Sequence, residues 1–253
     1  MPALESGERI GLALGGGAVL GAAHIGVLKA FDEYDVEISA ISGTSVGALF
    51  AALYAFGVTP RDIAAFAVDL DWLDISSLSL SKYGLLSNEK LGDAFEDVVG
   101  EVTFDEAKVP LAVVATDIGN GEKIIFSKGR VAPAIMASSC VPGIFIPVEI
   151  DDRMLVDGGL VENVPLSALR ELGAERVVGV DLNARRKYRA PDDIIDVLGN
   201  ALDIAIDNAT RVQTETSDIL ISPELSAYSR TDRGRIEDLI DEGFDAVRKL
   251  LEN

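Results

Sequence analysis

What this chain has least of is cysteine, histidine and positive charge. Cys140 is the only cysteine and His24 the only histidine, and 22 basic side chains face 42 acidic ones. One cysteine rules out an intrachain disulfide and fits a reducing compartment. One histidine leaves a single imidazole for any Ser–His–Asp arrangement. With no cluster of His, Cys and acids at ligand spacing, neither a metal nor a cofactor is expected. The formal net charge of −20 repels nucleic acid and anionic bilayers and leaves no basic stripe for a phosphate backbone. Such acidity reads as a solubilising surface. The first nine residues lack the basic start and apolar core of a signal peptide, so a cytoplasmic location is expected. No linker-like tract, internal repeat or low-complexity stretch divides the sequence. Residues 1–8 read as an extension, and residues 9–253 as one domain large enough for a real core.

Against that background one stretch stands out, Ile41-Ser42-Gly43-Thr44-Ser45-Val46-Gly47. It reads G-x-S-x-G, in which a serine on a sharp strand-to-helix turn has its hydroxyl pushed out from the backbone. Gly43 and Gly47 carry the signal, because such a turn crowds the positions two before and two after the serine. Residues 36–41 alternate like a buried strand, and residues 48–56 form a strong helix closed by Gly57 with Pro60 beyond. Residues 38–60 carry no charge and would pass a crude test for a membrane span. They change from strand to helix pattern midway, which predicts the centre of a soluble core instead.

Upstream, residues 10–14 read as a first buried strand running into Gly15-Gly16-Gly17-Ala18-Val19-Leu20-Gly21, followed by a helix over 22–34. A glycine-rich turn entering a helix points free N–H groups at whatever lies in front of it. Dinucleotide binding uses that device, but Gly15, Gly17 and Gly21 match its fingerprint imperfectly and no acid ends the second strand. An oxyanion hole uses it too, beside a nucleophile on the next strand.

Residues 15–28, residues 43–47, Ala115-Thr116-Asp117, Ala137-Ser138-Ser139 with Val141-Pro142, and Val156-Asp157-Gly158-Gly159-Leu160 through Pro165 occur in this order between residue 9 and about residue 182. Together they resemble the patatin-like phospholipases, serine acyl hydrolases with a Ser–Asp dyad in G-x-S-x-G and D-G-[GA]. The resemblance implies Ser45 and Asp157 as the dyad, Gly15, Gly16 and Gly17 as the oxyanion hole, and Gly158 and Gly159 as the glycines after the aspartate. Where that family usually carries Arg or Lys before the last loop glycine, this chain has Leu20. The residues themselves also favour an acid as base, since His24 beside Ile25 reads as a packed core imidazole. Asp157 follows the apolar Met154-Leu155-Val156 and precedes two glycines, which allows close approach to another loop; the plainer reading is an Asp-Gly turn cap.

The remaining pattern alternates strands and helices. It predicts an α/β fold in one domain, a mostly parallel central sheet with helices on both faces and the site at the strand C-termini, and the resemblance implies that this domain is patatin-like. Helices are expected over 59–68, 88–98, 130–139, 192–215 and 235–251, and strands over 109–116, 123–126, 145–150, 153–156, 176–181 and 218–222. Residues 69–87, with Trp72, Leu73, Leu78, Leu80, Leu85 and Leu86, read equally as a lid over an acyl groove or as a covering loop. The stripe Ile194, Ile195, Leu198, Leu202, Ala205 and Ala209 reads as core, with a dimer seam as the alternative. The expected substrate is a lipid or acyl ester, phospholipid, lysophospholipid or simple ester, with transient membrane-surface contact and a homodimer left open. No basic patch selecting a headgroup is visible. The competing class is a non-catalytic regulator that keeps the fold to bind an acyl chain or a protein.

Overall fold

The computed structural model describes residues 7–70, 77–78, 84, 86–230 and 233–252. Strand β1 (Arg9–Leu14) lies in the interior because its side chains alternate in size, Ile10, Leu12 and Leu14 joining one core and Ala13 another. The chain continues through α1 (Ala22–Glu33), β2 (Glu37–Gly43), α2 (Val46–Ala55) and α3 (Pro60–Asp69) to a short antiparallel pair, β3 (Ser77–Leu78) and β4 (Leu86–Ser87). Then come α4 (Glu89–Val99), β5 (Leu111–Asp117), β6 (Lys123–Phe126), α5 (Val131–Ser138), β7 (Val148–Ile150) and β8 (Arg153–Asp157). The last elements are α6 (Leu166–Glu171), β9 (Val177–Val180), α7 (Ile194–Gln213), β10 (Ile219–Ile221) and α8 (Ile236–Leu251).

Eight strands form the central sheet in the order β10-β9-β1-β2-β5-β8-β7, with β6 paired to β5. From β10 to β5 the pairs are parallel, and β8 then joins antiparallel to β5. The period-2 alternation sorts side chains by size. Ile41, Val113, Val178 and Val180 share a core with α1, α2 and α8, while Ala13 and Ala40 let α6 lie close on the opposite face through Leu166 and Leu169. Helices thus cover both faces of the α/β sheet, as the sequence predicts.

Helices α1 and α8 cross backbone to backbone. A Cβ at Gly26 would fall 1.8 Å from the Ile240 carbonyl oxygen, and one at Gly243 would fall 1.9 Å from that of Ala23. Gly26→Ala is therefore expected to push the helices apart and lower the unfolding free energy by about 2–3 kcal/mol. A urea titration reads this directly, and an unmoved midpoint would mean that the crossing is not this tight.

Two expectations need correction or confinement. The apolar stripe of α7 is not core: Ile194 is 73% and Leu198 65% exposed, and Ala205 and Ala209 are exposed as well. Periodicity specifies an apolar face but not what covers it, and here α6 already occupies the sheet face that a core helix would need. Only Leu202, of the stripe's side chains that are described, turns toward a cavity; Ile195 lies outside them. Trp72, Leu73, Leu80 and Leu85 of the expected lid also lie outside the described residues. Leu86 is tied by backbone hydrogen bonds to Ile144 and Ile146. Residues 38–60 divide into β2, the serine turn and α2, and among the described residues no helix is long and apolar enough to cross a membrane.

Candidate active site

Strand β5 brings the two catalytic candidates together. Gly43 at the end of β2 is in register with Val113, and Asp157 at the end of β8 is in register with Ala115. The ends of β2 and β8 therefore meet two residues apart on one strand. Ser45, two residues past Gly43, adopts φ 55° and ψ −129° as the cap of α2, a left-handed conformation that costs a non-glycine residue of the order of 1–3 kcal/mol. Neighbours hold it there. Its N–H donates to Ser138 Oγ at 2.8 Å, and Ser138 in turn donates to the Val114 carbonyl at 2.6 Å. A Cβ at Gly47 would sit 2.1 Å from the Leu14 carbonyl oxygen, and one at Gly43 2.4 Å from that of Gly47. Both motif glycines are thus required by close backbone approach.

Ser45 and Asp157 line one cavity. Asp157 keeps part of its surface open to that cavity, but protein atoms surround it, and this burial pushes its carboxyl up to about 6. The hydrogen bond from Gly159 N–H (2.8 Å), the nearby Ser45 side chain and the charge of Arg230 act in the opposite direction. Gly158 has its own steric reason, since a Cβ there would lie 2.2 Å from the Val114 carbonyl oxygen. Cys140 accepts the Asp157 N–H at its carbonyl, and burial and the nearby carboxylate push its thiol up to about 12. That thiol has no thiolate character at neutral pH.

The glycine loop lies alongside. Gly16 and Gly17 line the same cavity as Ser45 and Asp157, a volume of about 220 Å³ walled also by Val141, Phe145 and Ile206. Gly15 is set back: its N–H donates to the Val180 carbonyl at 3.2 Å. The Gly16 N–H makes a long 3.3 Å contact with the Asn163 carbonyl. His24 is fully buried and its Nε2 lies 2.7 Å from the Gly15 carbonyl. A carbonyl can only accept, so Nε2 carries the proton, and burial lowers the imidazole to about 4. His24 is thus a neutral brace for the loop. Leu20 is buried in the core.

Residues beyond those singled out in the sequence complete the wall. Asn163, Asn183, Arg186 and Arg230 line the cavity. Asn183 Nδ2 donates to the Gly16 carbonyl at 2.8 Å, and its Oδ1 accepts from Arg186 at 2.7 Å. The Arg230 carbonyl accepts the Val19 N–H. Asn163 falls within the stretch from Val156 to Pro165 but is not singled out there, and Asn183 carries no local signal. The run Arg185-Arg186-Lys187-Tyr188-Arg189 is the one local signal that could have been found in so acidic a chain, and nothing local says that it faces the site.

A family model described as patatin-like phospholipase matches residues 12–170. An uncharacterized NTE family protein of Mycobacterium tuberculosis is 36% identical over 191 residues, covering 74% of this chain and 53% of that protein. Neuropathy target esterase of Drosophila melanogaster is 29% identical over 191 residues, covering 71% of this chain and 13% of that protein. The chain thus spans about half the length of the mycobacterial relative. VipD from Legionella pneumophila shares the fold with a TM-score of 0.66 at 15% identity, over 97% of this chain and 67% of that one.

Proposed function

The chain belongs to the patatin-like phospholipase family, and on that footing we propose that it hydrolyses lipid carboxylic esters through an acyl-enzyme on Ser45, with Asp157 as the base. The observation that supports the reading is the meeting of Ser45 and Asp157 on one cavity, through the pairing of β2 and β8 with β5, where burial raises the carboxyl to about 6. An ordinary aspartate, near 3.9, is a poor base for a serine hydroxyl; one near 6 is better matched and still ionised at neutral pH. The Ser45 oxygen attacks the ester carbonyl and its proton passes to Asp157. The carbonyl oxygen becomes an oxyanion facing the N–H groups of Gly16 and Gly17, and the N-terminus of α2 adds positive potential. Gly15, which does not line the cavity, then supports the loop, and the Gly16 N–H exchanges its long contact with the Asn163 carbonyl for the oxyanion. Collapse expels the alcohol, which takes the proton from Asp157. Water, deprotonated by Asp157, cleaves the acyl-enzyme. Gly159 N–H holds one carboxylate oxygen and so fixes the orientation of the Asp157 side chain.

The ester link is also in the name of the Drosophila relative, an esterase. Incubation with a long-chain fluorophosphonate, followed by peptide mapping, is expected to place one adduct on Ser45, with uptake lost in Ser45→Ala. A folded wild type that takes up no label and cleaves no p-nitrophenyl acyl ester would overturn the assignment.

A further inference from the structure

We infer that Asn163 is a third oxyanion donor, its side-chain amide hydrogen-bonding the negative oxygen that forms when Ser45 attacks. The inference rests on the acyl-hydrolase reading above and adds a catalytic residue to it. The first observation is an orphaned group. Asn163 is only 4% exposed, and its Nδ2 is buried without an acceptor. Buried polar groups are nearly always paired, because a lone donor forfeits its hydration and gains nothing in return. An asparagine kept for structure alone would bond the loops it touches, whereas this amide is left for a ligand.

The second observation is where the carboxamide sits. Asn163 lines the cavity that holds Ser45, Asp157, Gly16 and Gly159. The position that a Cβ would take on Gly16 lies 2.8 Å from Asn163 Oδ1 and 3.2 Å from Ser45 Cβ. The corresponding position on Gly159 lies 3.3 Å from the same Oδ1 and 3.1 Å from Asp157 Oδ1. The carboxamide therefore packs against both glycine turns, the one beside the nucleophile and the one that holds the base. Nδ2 has no bond to lose, and the last torsion of an asparagine is soft and close to two-fold. A half-turn about Cβ–Cγ brings Nδ2 to the Oδ1 position, where an intermediate on Ser45 offers it an acceptor.

The third observation is how the segment is mounted. Thr44 Oγ1 donates to the Glu162 carbonyl at 3.0 Å and Ser42 Oγ to the Pro165 carbonyl at 2.8 Å, so the chain is tied on both sides of residue 163. Both donors belong to the strand and turn that carry Ser45. The Asn163 carbonyl receives the Gly16 N–H at 3.3 Å, so residue 163 borders the glycine loop through main chain and side chain alike. A donor fixed in this way is positioned in folding and needs no reorganisation during the reaction. Before the reaction the amide meets at most a neutral ester oxygen; in the transition state it meets an anion, a stronger acceptor. The interaction belongs in kcat and not in KM.

The test compares wild type with Asn163→Leu, which keeps the size of the side chain and removes the amide, and with Asn163→Ala. Each is assayed on a p-nitrophenyl acyl ester and titrated with decyl trifluoromethyl ketone, whose adduct with Ser45 carries an oxyanion, and with decyl methyl ketone, which forms no stable adduct. Both variants are expected to lower kcat by about a hundred- to a thousandfold, with KM within about twofold of wild type. Affinity for the trifluoromethyl ketone should fall by a similar factor, and affinity for the methyl ketone should hold within about twofold. A kcat within about threefold of wild type, or equal losses of affinity for the two ketones, would reduce Asn163 to a packing residue and overturn the inference. A crystal structure of the wild-type trifluoromethyl ketone adduct reads the contact without any variant. Nδ2 within about 3.2 Å of the hemiketal oxygen is expected; a carboxamide still turned away from it would overturn the donor even where neither variant folds. A wild type that forms no adduct and cleaves no ester would overturn the hydrolase reading and this inference together, whereas an active wild type that fails the other tests removes Asn163 alone.

Discussion

Ser45→Ala is expected to lower kcat for an acyl ester by about five to six orders of magnitude, because removal of a nucleophile disables everything that acts on it. The protein should stay folded. The hydroxyl is the only atom lost, and the turn is held from outside, by Ser138 and by the glycine contacts at 43 and 47. Alanine keeps the backbone at φ 55° and therefore keeps the strain. Glycine does not, so Ser45→Gly is expected to be equally inactive but more stable than Ser45→Ala by about 1 kcal/mol or more. Denaturant midpoints of the two variants separate strain from chemistry. If Ser45→Gly is less stable than Ser45→Ala, the turn is not the strained element described here. If Ser45→Ala retains wild-type turnover, the nucleophile lies elsewhere.

Asp157→Asn is expected to lower turnover by about two to four orders of magnitude, the usual range for a lost general base, and to raise stability at the same time. The folded-state carboxyl titrates at about 6 against an ordinary 3.8, so between those values the native state binds a proton that the unfolded chain does not. Stability therefore falls as pH rises through this window, and above about pH 6 the full cost of the buried carboxylate is in force. That cost is about 3 kcal/mol. Asparagine carries no charge and can still accept from Gly159. At pH 7.5 the variant should melt several degrees higher, about 2–4 °C per kcal/mol for a chain of this size, and its advantage should vanish by about pH 4. His24 acts in the opposite sense: its imidazole is held down to about 4 from 6.5, so the unfolded state alone gains a proton as pH falls through that range, and stability is lost. In wild type the two slopes nearly cancel. In Asp157→Asn only the loss remains, so acid should destabilise the variant more steeply than wild type between pH 6.5 and 4. For wild type, kcat/KM should rise with pH through about 6 and level off above 7. A variant no more stable than wild type at pH 7.5, or an activity profile flat across pH 6, would show that Asp157 is not the raised carboxyl.

What the sequence determined by itself is local. The Gly43, Ser45 and Gly47 spacing, flanked by a β-branched strand and a helix former, specifies a strand-turn-helix whose backbone geometry depends on near neighbours. The same holds for the glycine loop after β1 and for the Asp-Gly-Gly turn after β8. A lone His24 beside Ile25 was readable as a core imidazole, and its bond to Gly15 agrees. The order of strands and helices was enough to predict layers on both sides of a sheet.

Contacts between segments far apart in sequence were left to the tertiary structure. Asp157 lies 112 residues after Ser45, and only their common pairing with β5 makes them neighbours. Burial then raises the Asp157 carboxyl, an effect no pattern around residue 157 encodes. Gly15 and Gly16 look alike in sequence, yet the folded chain gives their N–H groups different acceptors, Val180 and Asn163, and of the two only Gly16 lines the cavity. Periodicity in α7 was real, but α6 had already taken the sheet face, so the stripe ended up exposed. Arg230 and the run at 185–189 were separated by more than forty positions, and a sequence read for net charge saw only an acidic chain. Helix, strand and turn propensities act over a few residues. Charge, proton affinity and hydrogen-bond satisfaction act over a few ångströms, and only the folded chain decides which residues those ångströms contain.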